Sequence, residues 1–226
     1  MMRVAVVISG CGFLDGAEIF ETVFTLLELD KNNIAVKVFA PNQKQHYVIN
    51  HLTQKEVLEE RNVLVESARI ARGKIQALDE LQVEDFDALI LPGGFGVVTN
   101  LSDIAFKNEN ATVIEDLKAI IIKFHKLSKP IGAICISPAI LAVILKDPVK
   151  AKITLGDKNP LITKLGALEE TSSASDIVVD EANKLVTTPA FMLDAPLTQI
   201  HTGIAKYTGL IYRDFPSNCV NSYISP

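Results

Sequence analysis

The chain has 226 residues, 48% of them hydrophobic, and a formal net charge of −5. That length and apolarity can bury a sizeable core, so one domain spanning residues 1–226 is expected. The mild acidity, with lysines and arginines scattered along the chain, excludes the basic footprint of a nucleic-acid binder or of a protein drawn to an anionic membrane surface.

Short apolar runs alternate with helical patterns, which predicts an α/β fold: a flavodoxin-like three-layer sandwich with a mainly parallel sheet covered on both faces. Val4 to Ser9, Ile34 to Ala40, Ala88 to Leu91 and Ile131 to Cys135 read as four buried strands. Between the first two, Ala17 to Leu29 carries Ile19, Phe20, Val23, Leu26 and Leu27 near helical spacing, with Asp15 as the expected N-cap. The polar stretch from Lys55 to Leu81 should hold at least one helix. Val113 to Leu127 and Pro138 to Leu145 read as further helices, and Ile177 to Thr188 as a hairpin with two β-rich runs around an Asp/Asn turn.

The three cysteines, Cys11, Cys135 and Cys219, are widely separated and have no metal-like spacing. An odd number without a framework suits a reducing cytosol and argues against disulfides or a structural zinc site. Ile8-Ser-Gly-Cys11 resembles a lipid-attachment box, but the apolar stretch ahead of it, Val4 to Ile8, is too short for a signal-peptide core of roughly 7–15 residues. No window approaches the roughly 20 apolar residues of a membrane span. A soluble, cytoplasmic protein is expected.

Ligands bind an open parallel sheet at the carboxyl ends of its strands, and the junctions there are unusual. The first strand runs into Gly10-Cys-Gly-Phe-Leu-Asp-Gly-Ala-Glu-Ile-Phe-Glu21, the third into Pro92-Gly-Gly-Phe-Gly96, and the fourth into Cys135-Ile-Ser-Pro138. Cys135 stands where a strand turns sharply into a helix, a place where backbone N–H groups and the helix dipole favour thiolate. It is a candidate nucleophile; the alternative is a small buried hydrophobe. Gly94 and Ile136 could offer two N–H donors to an oxyanion, with Gly93 beside them, although tight βα turns alone also explain these glycines. Glu18 and Glu21 share one face at the start of the first helix, where either could serve the thiol or simply complement the helix dipole.

These segments, together with Ser67-Ala-Arg-Ile-Ala-Arg-Gly73, Asn100-Leu101 and Val178-Val-Asp-Glu-Ala-Asn-Lys-Leu-Val-Thr-Thr-Pro189, resemble the ElbB-type glyoxalases over essentially the whole chain. These are also called isoprenoid biosynthesis proteins with an amidotransferase-like domain. They belong to a PfpI-like superfamily that includes the parkinsonism-associated deglycase and is related to the class I glutamine amidotransferases. In that superfamily the pattern Gly-Ala-Glu-x-x-Glu-x-Val sets a protonated Glu against a nucleophilic Cys. The match to Gly16–Val23 therefore implies Glu21 as the partner of Cys135, with Glu18 and Cys11 as site neighbours.

The sequence also departs from the pattern. The peptidase branch has His directly after the nucleophile, where this chain has Ile136. The deglycase branch has His after a Lys-Val-Thr-Thr stretch, where Lys152-Ile-Thr-Leu leads to Gly156, and the glutaminases' downstream His-x-Glu is absent. His46, His51, His125 and His201 stand at none of the matched positions. The resemblance implies glutathione-independent conversion of glyoxal to glycolate through a Cys135 hemithioacetal, with no metal or organic cofactor. It implies a small reactive aldehyde as partner, no nucleic acid, no membrane, and a homodimer as the assembly to test for. Two other classes stay open: a redox sensor or chaperone built on an oxidisable Cys135, and an amide hydrolase or deglycase.

Overall fold

A computed structural model describes residues 1–146 and 148–213; Cys219 lies outside them. The elements in chain order are β1 (Arg3–Val7), α1 (Ile19–Lys31), β2 (Ala35–Ala40), β3 (Ile49–Asn50), β4 (Lys55–Glu56), α2 (Val63–Ile70), β5 (Ile75–Ala77), β6 (Ala88–Leu91), α3 (Gly96–Thr99) and α4 (Ile104–Lys107). They continue with α5 (Glu115–Lys126), β7 (Ile131–Ile134), α6 (Pro138–Ile144), β8 (Lys152–Ile153), α7 (Pro160–Lys164), β9 (Leu168–Glu169), β10 (Val178–Asp180), β11 (Leu185–Thr188) and α8 (Leu197–Arg213).

Seven strands form the main sheet in the order β10-β11-β7-β6-β1-β2-β5. All neighbours run parallel except the edge pair β10 and β11. Alternation along each strand feeds two cores. In β1, Ala5 and Val7 face a layer that includes Leu117, Ile121 and Phe124 of α5. Val4 and Val6 face the opposite layer, where Leu29 of α1 and Ile200, Ile204 and Tyr207 of α8 pack. Both faces are dry, which is why the inner strands read as unbroken apolar runs and not as alternating ones.

The four expected strands and the helices after β1, before β7 and after β7 are present, with ends shifted by a residue or two. The Lys55–Leu81 stretch holds α2, but also β4 and β5. The expected hairpin forms as β10 and β11, and β11 additionally pairs parallel with β7, Leu185 to Thr188 against Ile131 to Ile134. Asp15 is not the cap of α1. Glu18 occupies that position, its carboxylate accepting the N–H of Glu21 at 2.7 Å. Asp15 instead accepts the N–H of Ile49 at 2.7 Å and ties the loop after β1 to β3.

The chain turns back between β1 and β6: it leaves β1 toward β2 on one side and returns to β6 on the other. Such a reversal opens a crevice at the carboxyl ends of the strands, where the loops after β1, β6, β7 and β11 meet.

The α8 layer sits so close to β7 that a Cβ on Gly132 would lie 1.8 Å from the Tyr207 hydroxyl oxygen. That hydroxyl is fully buried and has no hydrogen-bond partner among the described residues. Gly132→Ala should therefore cost at least ~1–3 kcal/mol by overpacking. Tyr207→Phe, which removes a buried unpaired hydroxyl, should be neutral or stabilising by up to ~1 kcal/mol. Urea unfolding of the two variants checks both signs.

Candidate active site

Cys135 follows β7 directly, with φ at +63°. A side-chain-bearing residue in the left-handed region signals a turn held by its surroundings. Its own N–H donates to the Thr188 carbonyl at 2.9 Å, anchoring it to the end of β11. Pro138 then opens α6, and the Ser137 hydroxyl donates to the Pro92 carbonyl at 2.6 Å, joining the turn after β7 to the loop after β6.

Glu21 reaches the thiol from the first turn of α1. It is fully buried, and its carboxyl accepts N–H groups from Gly93 at 2.9 Å and Phe191 at 3.3 Å. It is also hydrogen-bonded to the Cys135 side chain. The approach depends on Gly93. A Cβ there would lie 2.4 Å from the Cys135 Cβ, 2.6 Å from Glu21 Oε2 and 3.0 Å from the sulfur. Gly94, with φ at +99°, passes equally close to the backbone of Gly16 and Glu18.

Burial, reinforced by the neighbouring Glu18, pushes the Glu21 carboxyl up to about 8, against hydrogen bonds from Cys135, Phe191 and Gly93 that pull it down. Burial and Glu21 likewise push the Cys135 thiol up, and the N–H groups of Gly94 and Ile136 lower it only in part. This corrects the expectation of a resting thiolate. The short helix behind Cys135 cannot offset the loss of water around a largely buried sulfur beside a carboxyl group. The resting pair is neutral at pH 7, both protons in place. Burial raises Glu18 as well, and its role is the cap of α1.

Of the expected site residues, the fold brings Cys135, Glu21, Gly93, Gly94 and Ile136 together, with Glu18 alongside. Cys11 is elsewhere. It is half-buried near Asp15, Glu66 and Arg69, and does not line the cleft onto which Cys135 opens. No histidine replaces the missing triad member: His51 interacts with Leu14, Ile49 and Asp15, His125 with Asn183, and His201 with Glu28, while His46 meets Tyr47 edge-on and packs tilted against Phe106. Gly156, where the deglycase pattern has His, is covered by Leu193. Phe191 was missed. Its N–H on Glu21 comes from the turn after β11, and the run Thr188-Pro189-Ala190 gave no sign that its backbone would point at α1.

An α/β sandwich with a cysteine on a strained strand-to-helix turn and a buried carboxyl partner defines a class, and comparison with known proteins gives the family. The sequence model of the DJ-1/PfpI family matches residues 2–190. The chain belongs to the DJ-1/PfpI family. It is 40% identical to the mitochondrial ES1 protein homolog of Rattus norvegicus, covering 89% of this chain and 80% of the relative. It is also 40% identical to the mitochondrial glutamine amidotransferase-like class 1 domain-containing protein 3 of Homo sapiens, covering 89% and 79%. A crystal structure of an isoprenoid biosynthesis protein with amidotransferase-like domain from Ehrlichia chaffeensis superposes with a TM-score of 0.89 at 39% identity, covering 93% of this chain and 98% of that one. Drosophila melanogaster DJ-1beta, at 18% identity and a TM-score of 0.53, shares the fold. Among the described residues no helix is long and apolar enough to cross a membrane. The rat and human relatives are mitochondrial by name, which differs from the cytoplasmic placement expected from sequence.

The raised carboxyl makes stability depend on pH. Between 4.5, its ordinary value, and about 8, the folded chain holds a proton that the unfolded chain has released. Stability from this group is therefore fully present below 4.5 and is lost at ~1.4 kcal/mol per pH unit as pH rises toward 8. Glu21→Gln should remove that slope and be more stable than wild type at pH 8, with the gap closing near pH 4.5. Denaturant midpoints across pH 4.5–8.5 check it, and a pH-independent difference would contradict a neutral buried Glu21. Gly93→Ala should separate the pair and change the rate at which iodoacetamide alkylates Cys135 at least tenfold, read against an unfolding midpoint that shows the chain still folds.

Proposed function

We propose that the protein is a cofactor-independent glyoxalase, converting glyoxal to glycolate on Cys135. The observation that carries this reading is the buried Cys135–Glu21 pair, in which a thiol and a carboxyl share a dry contact with N–H donors on either side. In the state that has lost one proton, sulfur attacks an aldehyde carbon as the thiol proton passes to Glu21. The new C–S bond gives a hemithioacetal, and the N–H groups of Gly94 and Ile136 hold its oxygen while it carries negative charge.

Glu21 passes the thiol proton to the hemithioacetal oxygen and, again a carboxylate, removes the hydrogen of the sulfur-bearing carbon and returns it to the neighbouring carbon through an enediol. The first carbon is oxidised to a thioester and the second reduced to an alcohol, so no external oxidant or reductant is needed. Water attacks the thioester, the C–S bond breaks, sulfur recovers its proton and glycolate leaves. This assigns to Glu21 the proton transfers that a histidine performs in other cysteine hydrolases. It also accounts for the absence of a paired histidine near Cys135 among the described residues, which weighs against glutamine hydrolysis and peptidase chemistry. Because the resting thiol is pushed up and buried, an oxidisable sensor cysteine is the less supported reading.

Cys135→Ala should abolish glyoxal consumption by the folded protein; retained wild-type turnover would end the covalent scheme. Glu21→Gln should lower kcat/KM at least tenfold, within the roughly 10²- to 10⁴-fold typical of general acid–base catalysis. Glu18→Gln keeps an oxygen to cap α1 and should cost less. Wild-type kcat/KM should rise about tenfold per pH unit below the first ionisation of the pair and level off above about 8, the value to which Glu21 is pushed. A flat profile from pH 6 to 9 would contradict the assignment.

A further inference from the structure

The cleft onto which Cys135 opens has a volume of about 460 Å³. Glyoxal has the bulk of two or three water molecules, roughly 60–90 Å³ at ~30 Å³ per water in the liquid. Most of the cleft would stay empty around it. The walls explain what else would fit: Phe13, Phe95, Val98, Ile104, Phe191 and Met192 line the space continuously with Cys135, Gly94 and Ile136. Val98 and Ile104 are buried, whereas Phe13 and Phe95 are about half exposed at 51% and 47%. Among the described residues, the polar side chains on the lining besides Cys135 are Glu18 and Asn108, and no Lys, Arg or His lines it.

Resting on the glyoxalase reading, we propose that the substrates are α-oxoaldehydes carrying an uncharged apolar substituent of roughly phenyl size, and that glyoxal is the minimal fragment of that class. The aldehyde carbon meets Cys135 between the Gly94 and Ile136 N–H groups, and the substituent lies along the aromatic and aliphatic wall. An anionic substituent, or the ammonium and carboxylate of an amino acid, would lose water without gaining an opposite charge, beside a Glu18 carboxyl. The chemistry balances as for glyoxal. The aldehyde carbon is oxidised to the carboxylic acid, the ketone carbon is reduced to an alcohol, and one water is consumed, so phenylglyoxal would give mandelate. The product carries a negative charge that the substrate lacks, and a cleft lined without a cation favours its release.

One methylene in an apolar pocket is worth roughly tenfold or more in kcat/KM, so a phenyl group in place of hydrogen should give at least that. The test compares initial-rate kcat/KM for phenylglyoxal and glyoxal in the wild type and in Ala105→Trp, which places bulk at an exposed position on the cleft lining. Protection of Cys135 from iodoacetamide by acetophenone or acetone is measured in parallel. The expected result is a phenylglyoxal-to-glyoxal ratio of ten or more that falls at least tenfold in Ala105→Trp, with protection by acetophenone and not by equimolar acetone. A ratio of one or below, with glyoxal still consumed in a Cys135-dependent way, overturns the substrate class and leaves the glyoxalase reading standing. If neither aldehyde is consumed, the glyoxalase reading fails. Protection then decides the rest: selective protection by acetophenone supports the apolar ligand class, and equal or absent protection overturns it.

Discussion

The site depends on the closeness of a carboxyl and a thiol packed with little water around them, and that closeness depends on the missing side chain of Gly93. Glu21 and Cys135 arrive from opposite directions, one from the start of α1 and one from the end of β7. The loop after β6 passes between them, and any Cβ at position 93 would occupy the contact. The same residue supplies an N–H to Glu21 and a carbonyl that accepts the N–H of Glu18 at 2.9 Å. A single glycine thus permits the pair and also fixes the helix that carries half of it.

Around this contact the loops are stitched together by their own backbones. The Gly96 N–H donates to the Gly16 carbonyl and the Phe95 N–H to the Phe13 carbonyl, joining the loops after β6 and β1. The side chain of Asn100 donates to the carbonyls of both Ser9 and Asp15. Buried loop backbone must find partners or lose stability, and here the partners are other loops of the site. Geometry is therefore set by the sheet through short connections, without relying on mobile side chains. That arrangement suits chemistry in which a proton must move between Glu21 and a carbon attached to sulfur.

The sheet was largely legible because its inner strands are buried on both faces, so β1, β2, β6 and β7 stand out as apolar runs. What was not legible depends on tertiary pairing. β5 is a short edge strand whose Ile75-Gln-Ala77 carries little pattern, and the parallel pairing of β11 with β7 cannot be seen in a segment that also makes a good hairpin. Helix α8 covers the sheet through Ile200, Ile204 and Tyr207, but Thr and Gly residues dilute its pattern. Asp15 looked like a helix cap because it precedes the apolar periodicity, and only the position of β3 explains why it turns away. At the site, the glycine clusters and the strand-end cysteine were visible as residue types. The choice of Glu21 over Glu18 came from resemblance, since spacing places both on one face. The structure separates them physically: Glu18 spends its carboxylate on the N-terminus of α1, while Glu21 turns inward.

The protonation of the pair was the least accessible feature, because it reverses a local rule. A cysteine at a helix start ordinarily gains acidity, yet here burial and the adjacent carboxyl outweigh two N–H donors and a helix of only two turns. The consequence is selectivity by solvation. A buried neutral thiol presents little thiolate to peroxide or to soluble electrophiles, whereas in the proposed reaction a ligand that fills the apolar cleft excludes water and brings its carbonyl to the N–H groups of Gly94 and Ile136. Developing charge on that oxygen then finds donors already oriented. Glu21 is costly to ionise alone, but it can take the thiol proton when sulfur forms its new bond. The carboxyl that weakens the fold as pH rises is the one hydrogen-bonded to the Cys135 side chain, so the stability cost and the proposed reactivity arise from the same desolvated pair.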